Sequence, residues 1–476
     1  MPASGNSNLR CQIIGDQGAL TDYQSISFFR LRYPRIPTFD GENKIEFDVV
    51  NSTLEPRIRI DLANVSFNNP IAFVLGDVPK KINFSLNGSV YTTLITNSIN
   101  GEKQHVVYQD SSTITSVNSL RPVNFNSTTP GFFTNYGAIS NKERALLMIT
   151  HEKLKIASDN YIAYRRSVAG GSYNVIEGDI DELYQQFGAG IPQHINSIRR
   201  FSHFIFNQST EKPVGLYLLG KGIKQATVGE LFGTRNNAIY TEESLIPSFG
   251  EPGSDICITS GLEGPYRWSP LIPTGRISAR TDNELQDYLD KVIKNETEQD
   301  SNSVYDTPNK DWQKQILHFV GGSTGPQQSQ FKFYMDNMGN TMEDRLFGGN
   351  VSSIYKTNSD PLPPSTITSI TDRIANGVSL MSYFGHATAS TSGFEINLDE
   401  PSNWNNSSKF PIMLVNACYN GNIYQYTNSY SEDFVQVPNY GAIAYLASVN
   451  VGYDVYLNLY SSKLYNQFTK YAYGAT

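Results

Sequence analysis

The sequence predicts an α/β protein, a mostly parallel sheet covered by helices, preceded by an all-β domain. Three observations predict it. Alternating and β-branched runs fill the first 140 residues or so, with little helical periodicity. From Ala145 onward, short apolar runs alternate with amphipathic stretches of helical period. Several of those apolar runs end abruptly at Gly, Asn or Cys, as strands do where a sheet hands over to its functional loops.

In the N-terminal part, "KIEFDVV" (Lys44 to Val50), "RIRIDLANVSF" (Arg57 to Phe67) and "VYTTLIT" (Val90 to Thr96) read as strands, separated by turns of Gly, Asn and Pro. A sandwich is expected over residues 1–140. "NFNSTTPGFFTNYGAISN" follows as an expected linker. The α/β region, 141–476, divides into two sub-domains near residue 300 in one reading. It opens with the strand "ALLMIT" (Ala145 to Thr150), a helix from Glu152 to Val168 halted by Gly170-Gly171, and the strand "YNVIE". "DELYQQF" and "PQHINSIRRFSHFIF" read as helices, and "VGLYLLG" (Val214 to Gly220) as a strand. In "TDNELQDYLDKVIKNE", Thr281 and Glu284 form a capping box, and Leu285, Leu289, Val292 and Ile293 share one face. After the strand "QILHFVGG", the helix "STITSITDRIANG" stops at Asn376-Gly377. Three apolar strands then come in series, "GVSLMSYFG", "FPIMLVNA" and "GAIAYLAS", before a helix over Tyr456 to Tyr473.

Bulk properties narrow the function. A chain of 476 residues, 39% hydrophobic and 17% charged, is long enough for two or three domains. Its net charge of −8, without a Lys/Arg run, gives no case for nucleic acid. Cys11, Cys257 and Cys418 are too few and too scattered for a disulfide scaffold or a CxxC metal pair. No apolar run reaches membrane-spanning length. MPASGNSN lacks the regions of a signal peptide, so the chain reads either as cytoplasmic or as an exported protein whose signal has been removed.

The chemistry gathers at "FPIMLVNACYNGN". Cys418 stands at the end of an apolar strand, where a thiol could serve as nucleophile, although a free cysteine is often just a small buried hydrophobe. A free thiol is only a few per cent ionised at neutral pH and needs a base. His386, in "SYFGHATAS", holds the same slot on the preceding strand. Were the two strands neighbours, both side chains would leave the same sheet edge. Gly385 permits close backbone approach, and amides around Ala387 and Cys418 are candidate oxyanion donors. His105, His194, His203 and His318 read as structural or solvent-facing, whereas His151 could line the same edge. No HExxH, phosphate loop or GxSxG elbow occurs.

Taken in order, these segments resemble the gingipain family of caspase-like cysteine peptidases over roughly Ala145 to Thr476. "NGVSLMSYFGHATAS" resembles that family's strand ending in Gly-His-Gly-Ser, and "FPIMLVNACYNGN" its strand ending in Ala-Cys-x-Asn-Gly. "GAIAYLAS", "TGRISARTDNELQDYLDKVIKNE", "DWQKQILHFVGG" and "IDELYQQFGAG" are similar to further family segments. The resemblance implies a caspase/gingipain-like fold, with Cys418 as nucleophile and His386 as general base and acid. It implies that Asp255, in Ser254-Asp255, lines a pocket for a basic substrate side chain; a surface turn is the alternative. Calcium is implied by the family alone, since no Asp-rich ligand loop is visible, and no cofactor or metal is expected from the residues themselves. The chain departs from the family pattern at Ala387, usually glycine, at Lys221, where Gly-Asp is common, and in "ICITSGLEGPYRW" after Asp255.

"FRLRYPRIPTFDG" resembles a segment of the signal-processing sortase of type IX secretion. That resemblance implies an exported, outer-membrane-associated enzyme that processes C-terminal secretion signals on protein substrates, with secretion components as partners. The other readings are a catalytically silent surface-binding or secretion-assembly protein, and a cytoplasmic caspase-like regulator.

Overall fold

A computed structural model describes residues 34–75, 79–114, 133–225, 234, 237–263, 269–300, 307–356, 364–388 and 400–471. The chain forms two compact units, Met1–Arg121 and Pro122–Thr476.

The first unit is a sandwich of two antiparallel sheets. Its strands are β1 (Lys44–Val49), β2 (Arg57–Leu62), β3 (Pro70–Leu75), β4 (Lys80–Ile82), β5 (Phe84–Asn87), β6 (Val90–Thr96) and β7 (Gln104–Asp110). One sheet runs β1-β7-β3-β4 and the other β2-β6-β5. Period-two alternation explains the packing: Ile58, Ile60 and Leu62 turn inward while Arg57, Arg59 and Asp61 stay outside. Ile45, Val106 and Tyr108 from one sheet meet Ile60, Leu62 and Ile95 from the other. The buried Tyr108 hydroxyl is satisfied across the sandwich by Thr93, 2.9 Å away. β5 and β6 turn over Gly88-Ser89, with Gly88 at φ 61°, a conformation suited to glycine in a two-residue hairpin.

The second unit has two parallel sheets covered by helices, the predicted class. The first contains β8 (Leu146–Thr150), β9 (Val175–Asp179), β10 (Gly215–Leu219) and β11 (Thr274–Ile277), in the order β11-β10-β8-β9. The second contains β12 (Gln315–Val320), β13 (Asn350–Tyr355), β14 (Leu380–Phe384), β15 (Ile412–Asn416) and β16 (Ala444–Ala447), in the order β13-β12-β14-β15-β16. Strands β8 and β14 are buried along their whole length, which is why they read as continuous apolar runs rather than alternating ones. Between the strands come α1 (Lys155–Arg166), α2 (Ile180–Phe187), α3 (Asn196–Gln208), α4 (Ala238–Glu243), α5 (Ile256–Thr259) and α6 (Asp282–Asp300). The remaining helices are α7 (Thr307–Lys310), α8 (Gly325–Met342), α9 (Pro364–Asn376), α10 (Tyr430–Gln436) and α11 (Asp454–Asn466). Half of the capping box expected at α6 forms: the Glu284 N–H donates to Thr281 Oγ at 3.3 Å, while the Glu284 carboxylate accepts from the Arg280 N–H at 2.7 Å.

Two expectations are revised. The stretch read as a linker is not one from Phe133 onward, because Tyr136 is buried and packs edge-on against Phe201. The last helix is α-helical to Asn466 and continues as a π-helix over Gln467–Tyr471, so it is helical as expected that far; Tyr473 lies outside the described residues. Helix α8 and strand β13 lie in "GPQQSQFKFYMDNMGNTM" and "NVSSIY", where no element was predicted; their polar residues dilute the apolar period. Within the second sheet, α8 carries the chain from β12 to β13 on one side, and α9 returns it to β14 on the other. The ends of β12 and β14 therefore flank the switch point where open α/β sheets bind ligands.

Candidate active site

Strands β14 and β15 are parallel neighbours with Phe384 opposite Asn416, and the Gly385 N–H extends the ladder to the Asn416 carbonyl at 3.1 Å. Two residues beyond that pair, His386 and Cys418 occupy matched positions at the carboxyl ends of strands whose backbones run about 5 Å apart. The register brings two separate strand endings side by side.

Each ending is shaped by its neighbours. A Cβ at Gly385 would collide with the Tyr383 ring, whose hydroxyl donates to the His386 carbonyl at 2.7 Å. The His386 imidazole is exposed at the mouth of the sheet. Its Nε2 lies 3.2 Å from Gln327 Oε1, and its ring meets Phe331 edge-on, with centroids 6.2 Å apart. Both partners sit on the first turns of α8, the helix that follows β12.

Cys418 is half-buried, and the Gly452 N–H donates to its sulfur at 3.4 Å. The chain then turns sharply. Tyr419 sits in the left-handed region at φ 57°, an unusual conformation for an aromatic residue, with its N–H bound to the Asn450 carbonyl at 2.9 Å. Gly421 packs so closely on Ala447 that a Cβ would run into that residue's carbonyl. Between them, Asn420 is fully buried. Its Nδ2 donates to the Thr388 carbonyl at 3.0 Å, and its Oδ1 accepts from the Tyr445 hydroxyl. This side chain ties the turn after Cys418 to the loop after His386. Sequence reading passed over Asn420 as an ordinary turn asparagine; the signal available was a polar residue lodged between two apolar strands.

Asp255 is placed differently from the expected substrate pocket. Its two oxygens accept from Arg276 Nε at 2.7 Å and Nη2 at 2.8 Å, so the carboxylate is taken by a cation of the chain itself. Arg276 also donates to the carbonyls of Gly220, Ile246 and Pro247, at 2.7, 2.8 and 3.2 Å, and faces the Tyr424 ring. Lys221 is likewise internal. It is fully buried against Glu432, which also accepts from Ser278, and burial pushes its ammonium down to about 8 against the pull of that carboxylate. Lys221 and Ser278, beyond β10 and β11, thus meet Glu432 on α10, and Arg276 meets Tyr424 in the loop that follows Cys418.

His151 ends β8, in the other sheet, where its Nδ1 caps the next turn by accepting the Lys153 N–H at 3.0 Å; it does not line the edge shared by His386 and Cys418. His318 is buried on β12, bonded to the Tyr465 hydroxyl at 2.9 Å and pushed down to about 4 by burial. Among the described residues, no three His, Cys, Asp or Glu side chains converge as a metal site, and no helix is long and apolar enough to cross a membrane.

The family model of Peptidase family C25 matches residues 139–475. The chain belongs to peptidase family C25. It is a cysteine peptidase, a hydrolase of the gingipain type, acting on protein substrates. The complex of Porphyromonas gingivalis RgpB pro- and mature domains is similar in fold, with 14% identity and a TM-score of 0.50 over 68% of each chain. So is the Arg-specific cysteine proteinase gingipain R (RgpB), with 14% identity and a TM-score of 0.50 over 69% of this chain and 67% of that one. Dimeric latent PorU from Porphyromonas gingivalis aligns at 13% identity and a TM-score of 0.34 over 62% of this chain and 30% of that one, too slight to bear on fold or function. No curated protein sequence matches the chain.

Proposed function

We propose that Cys418 is the nucleophile of this peptidase and His386 its general base and acid. One observation supports the assignment: the β14–β15 register makes neighbours of the two strand ends that His386 and Cys418 follow. The Cys418 thiol gives its proton to the imidazole as sulfur attacks a peptide carbonyl. The resulting oxyanion meets the amides of Ala387 and Cys418, since the Gly385 N–H is committed to Asn416. The imidazolium then protonates the leaving amine, and a thioester remains. Water resolves it to an acid, or an amine resolves it to a new amide. No basic-side-chain pocket is assigned to Asp255, whose oxygens Arg276 holds.

The finer reading is an exported, surface-associated sortase that removes C-terminal secretion signals. The resemblance of Phe29 to Gly41 to a type IX sortase segment supports it, as does the β-sandwich unit ahead of the peptidase unit; of that segment, Phe29 to Tyr33 lie outside the described residues. The test is a reporter protein ending in a C-terminal secretion domain, incubated with and without glycinamide and read by intact mass. Wild type is expected to release the domain and, with the amine present, to yield the glycinamide adduct. Cys418→Ala is expected to lose roughly a thousandfold or more of the rate. Cleavage to the acid alone would leave a plain peptidase; undiminished cleavage by Cys418→Ala would sink the dyad.

A further inference from the structure

Gln327 stands at the third position of α8, where Thr324 caps the helix and accepts the Gln327 N–H at 3.4 Å. A glutamine at this position ordinarily closes a local cap, and its Oε1 does accept the Ser323 N–H, at 3.1 Å. That bond has a second consequence. An N–H donor fixes which end of the amide is oxygen, and the same oxygen faces His386 Nε2 at 3.2 Å. An acceptor there requires a proton on Nε2. One turn further along the helix, Phe331 supports the ring edge-on. The titratable group on the adjoining strand end is Cys418, while α8 offers His386 an amide and a phenyl ring, neither of which ionises.

We propose that Gln327 is the positioning residue of the His386 base. It holds the imidazole with the proton on Nε2 and leaves Nδ1 as the atom that takes the Cys418 proton and returns it to the leaving amine. This rests on the dyad reading above. An amide serves the purpose differently from a carboxylate: it fixes orientation and tautomer without adding negative charge beside the imidazolium.

The pH dependence of iodoacetamide alkylation at Cys418, resolved by site with mass spectrometry, tests it without a known substrate. An imidazolium beside the thiol produces a low-pH branch of reactivity, below the range where a free thiol ionises near 8.5. His386→Ala is expected to abolish that branch. Gln327→Leu is expected to cut the alkylation rate at pH 6 at least threefold. Gln327→Glu keeps the acceptor and adds charge, so it is expected to retain the rate and move the upper inflection of the branch up by about one pH unit. A residue serving only as a helix cap would move neither the branch nor the inflection. If His386→Ala removes the branch but Gln327→Leu retains it, or Gln327→Glu leaves the inflection in place, this inference fails and the dyad stands. If His386→Ala retains the branch, both fail.

Discussion

Lys291 offers a quantitative test of how the two halves of the peptidase unit are joined. It lies on α6 at 1% exposure, with its ammonium donating to the carbonyls of Val435 at 2.9 Å and Ala442 at 3.0 Å, and 5.2 Å from the Phe410 ring centre. Among the described residues no carboxylate pairs with it, and burial pushes it from 10.5 down to about 7. At about 1.4 kcal/mol per pH unit, that difference is worth about 5 kcal/mol. Below pH 7 both folded and unfolded chains carry the proton, and the folded state bears the full cost of the buried cation. Between about 7 and 10.5 the unfolded chain keeps the proton that the folded chain has released, so stability rises with pH; above that range the effect ends. Wild type should therefore gain on Lys291→Met by about 1.4 kcal/mol per unit, roughly 4 kcal/mol between pH 7 and 10. Urea unfolding at each pH measures this, followed by the fluorescence of the buried Trp312 and Trp404. Subtracting the variant cancels the titration of distant groups. A difference that stays flat within about 1 kcal/mol would refute the reasoning. It would mean that two carbonyls and a ring suffice to keep the ammonium charged.

Two further substitutions separate structural from catalytic duty. Asp255→Ala should destabilise the fold by about 3–5 kcal/mol, seen as a lowered Tm, because it strands the buried Arg276 cation; an unchanged Tm with selective loss of basic substrates would instead restore the pocket expected for Asp255. Asn420→Ala removes the link between the Cys418 turn and the His386 loop, and should lower the peptidase rate at least tenfold with a stability loss of about 2 kcal/mol; full activity would show that the loops hold without it.

Local pattern carried much of the fold. The runs that became β1, β2, β6, β8, β9, β10, β12, β14, β15 and β16 were legible because strand burial follows residue type at a period of two or in a continuous stretch. Helix α8 was not legible, since Gln, Ser, Asn and Gly share its sequence with the apolar residues that Phe331, Met335, Met338 and Met342 bring to the core. The cost of missing it was Gln327, which no strand-end argument could have found.

The sequence by itself determined that an α/β unit follows a β-rich one, and that a cysteine and a histidine close two of its apolar strands. Those are consequences of hydrophobic period and turn chemistry, written within a few residues of each position. Tertiary structure decided that there are two parallel sheets, that β14 and β15 pair with Phe384 facing Asn416, and hence that the strand endings followed by His386 and Cys418 are neighbours. It also decided that Asp255 answers Arg276 and that Lys221 answers Glu432, 211 residues away. A buried charge takes whatever partner the packing brings to it, because the low dielectric makes an unpaired one too costly. That choice is made across the whole chain, and no local pattern records it.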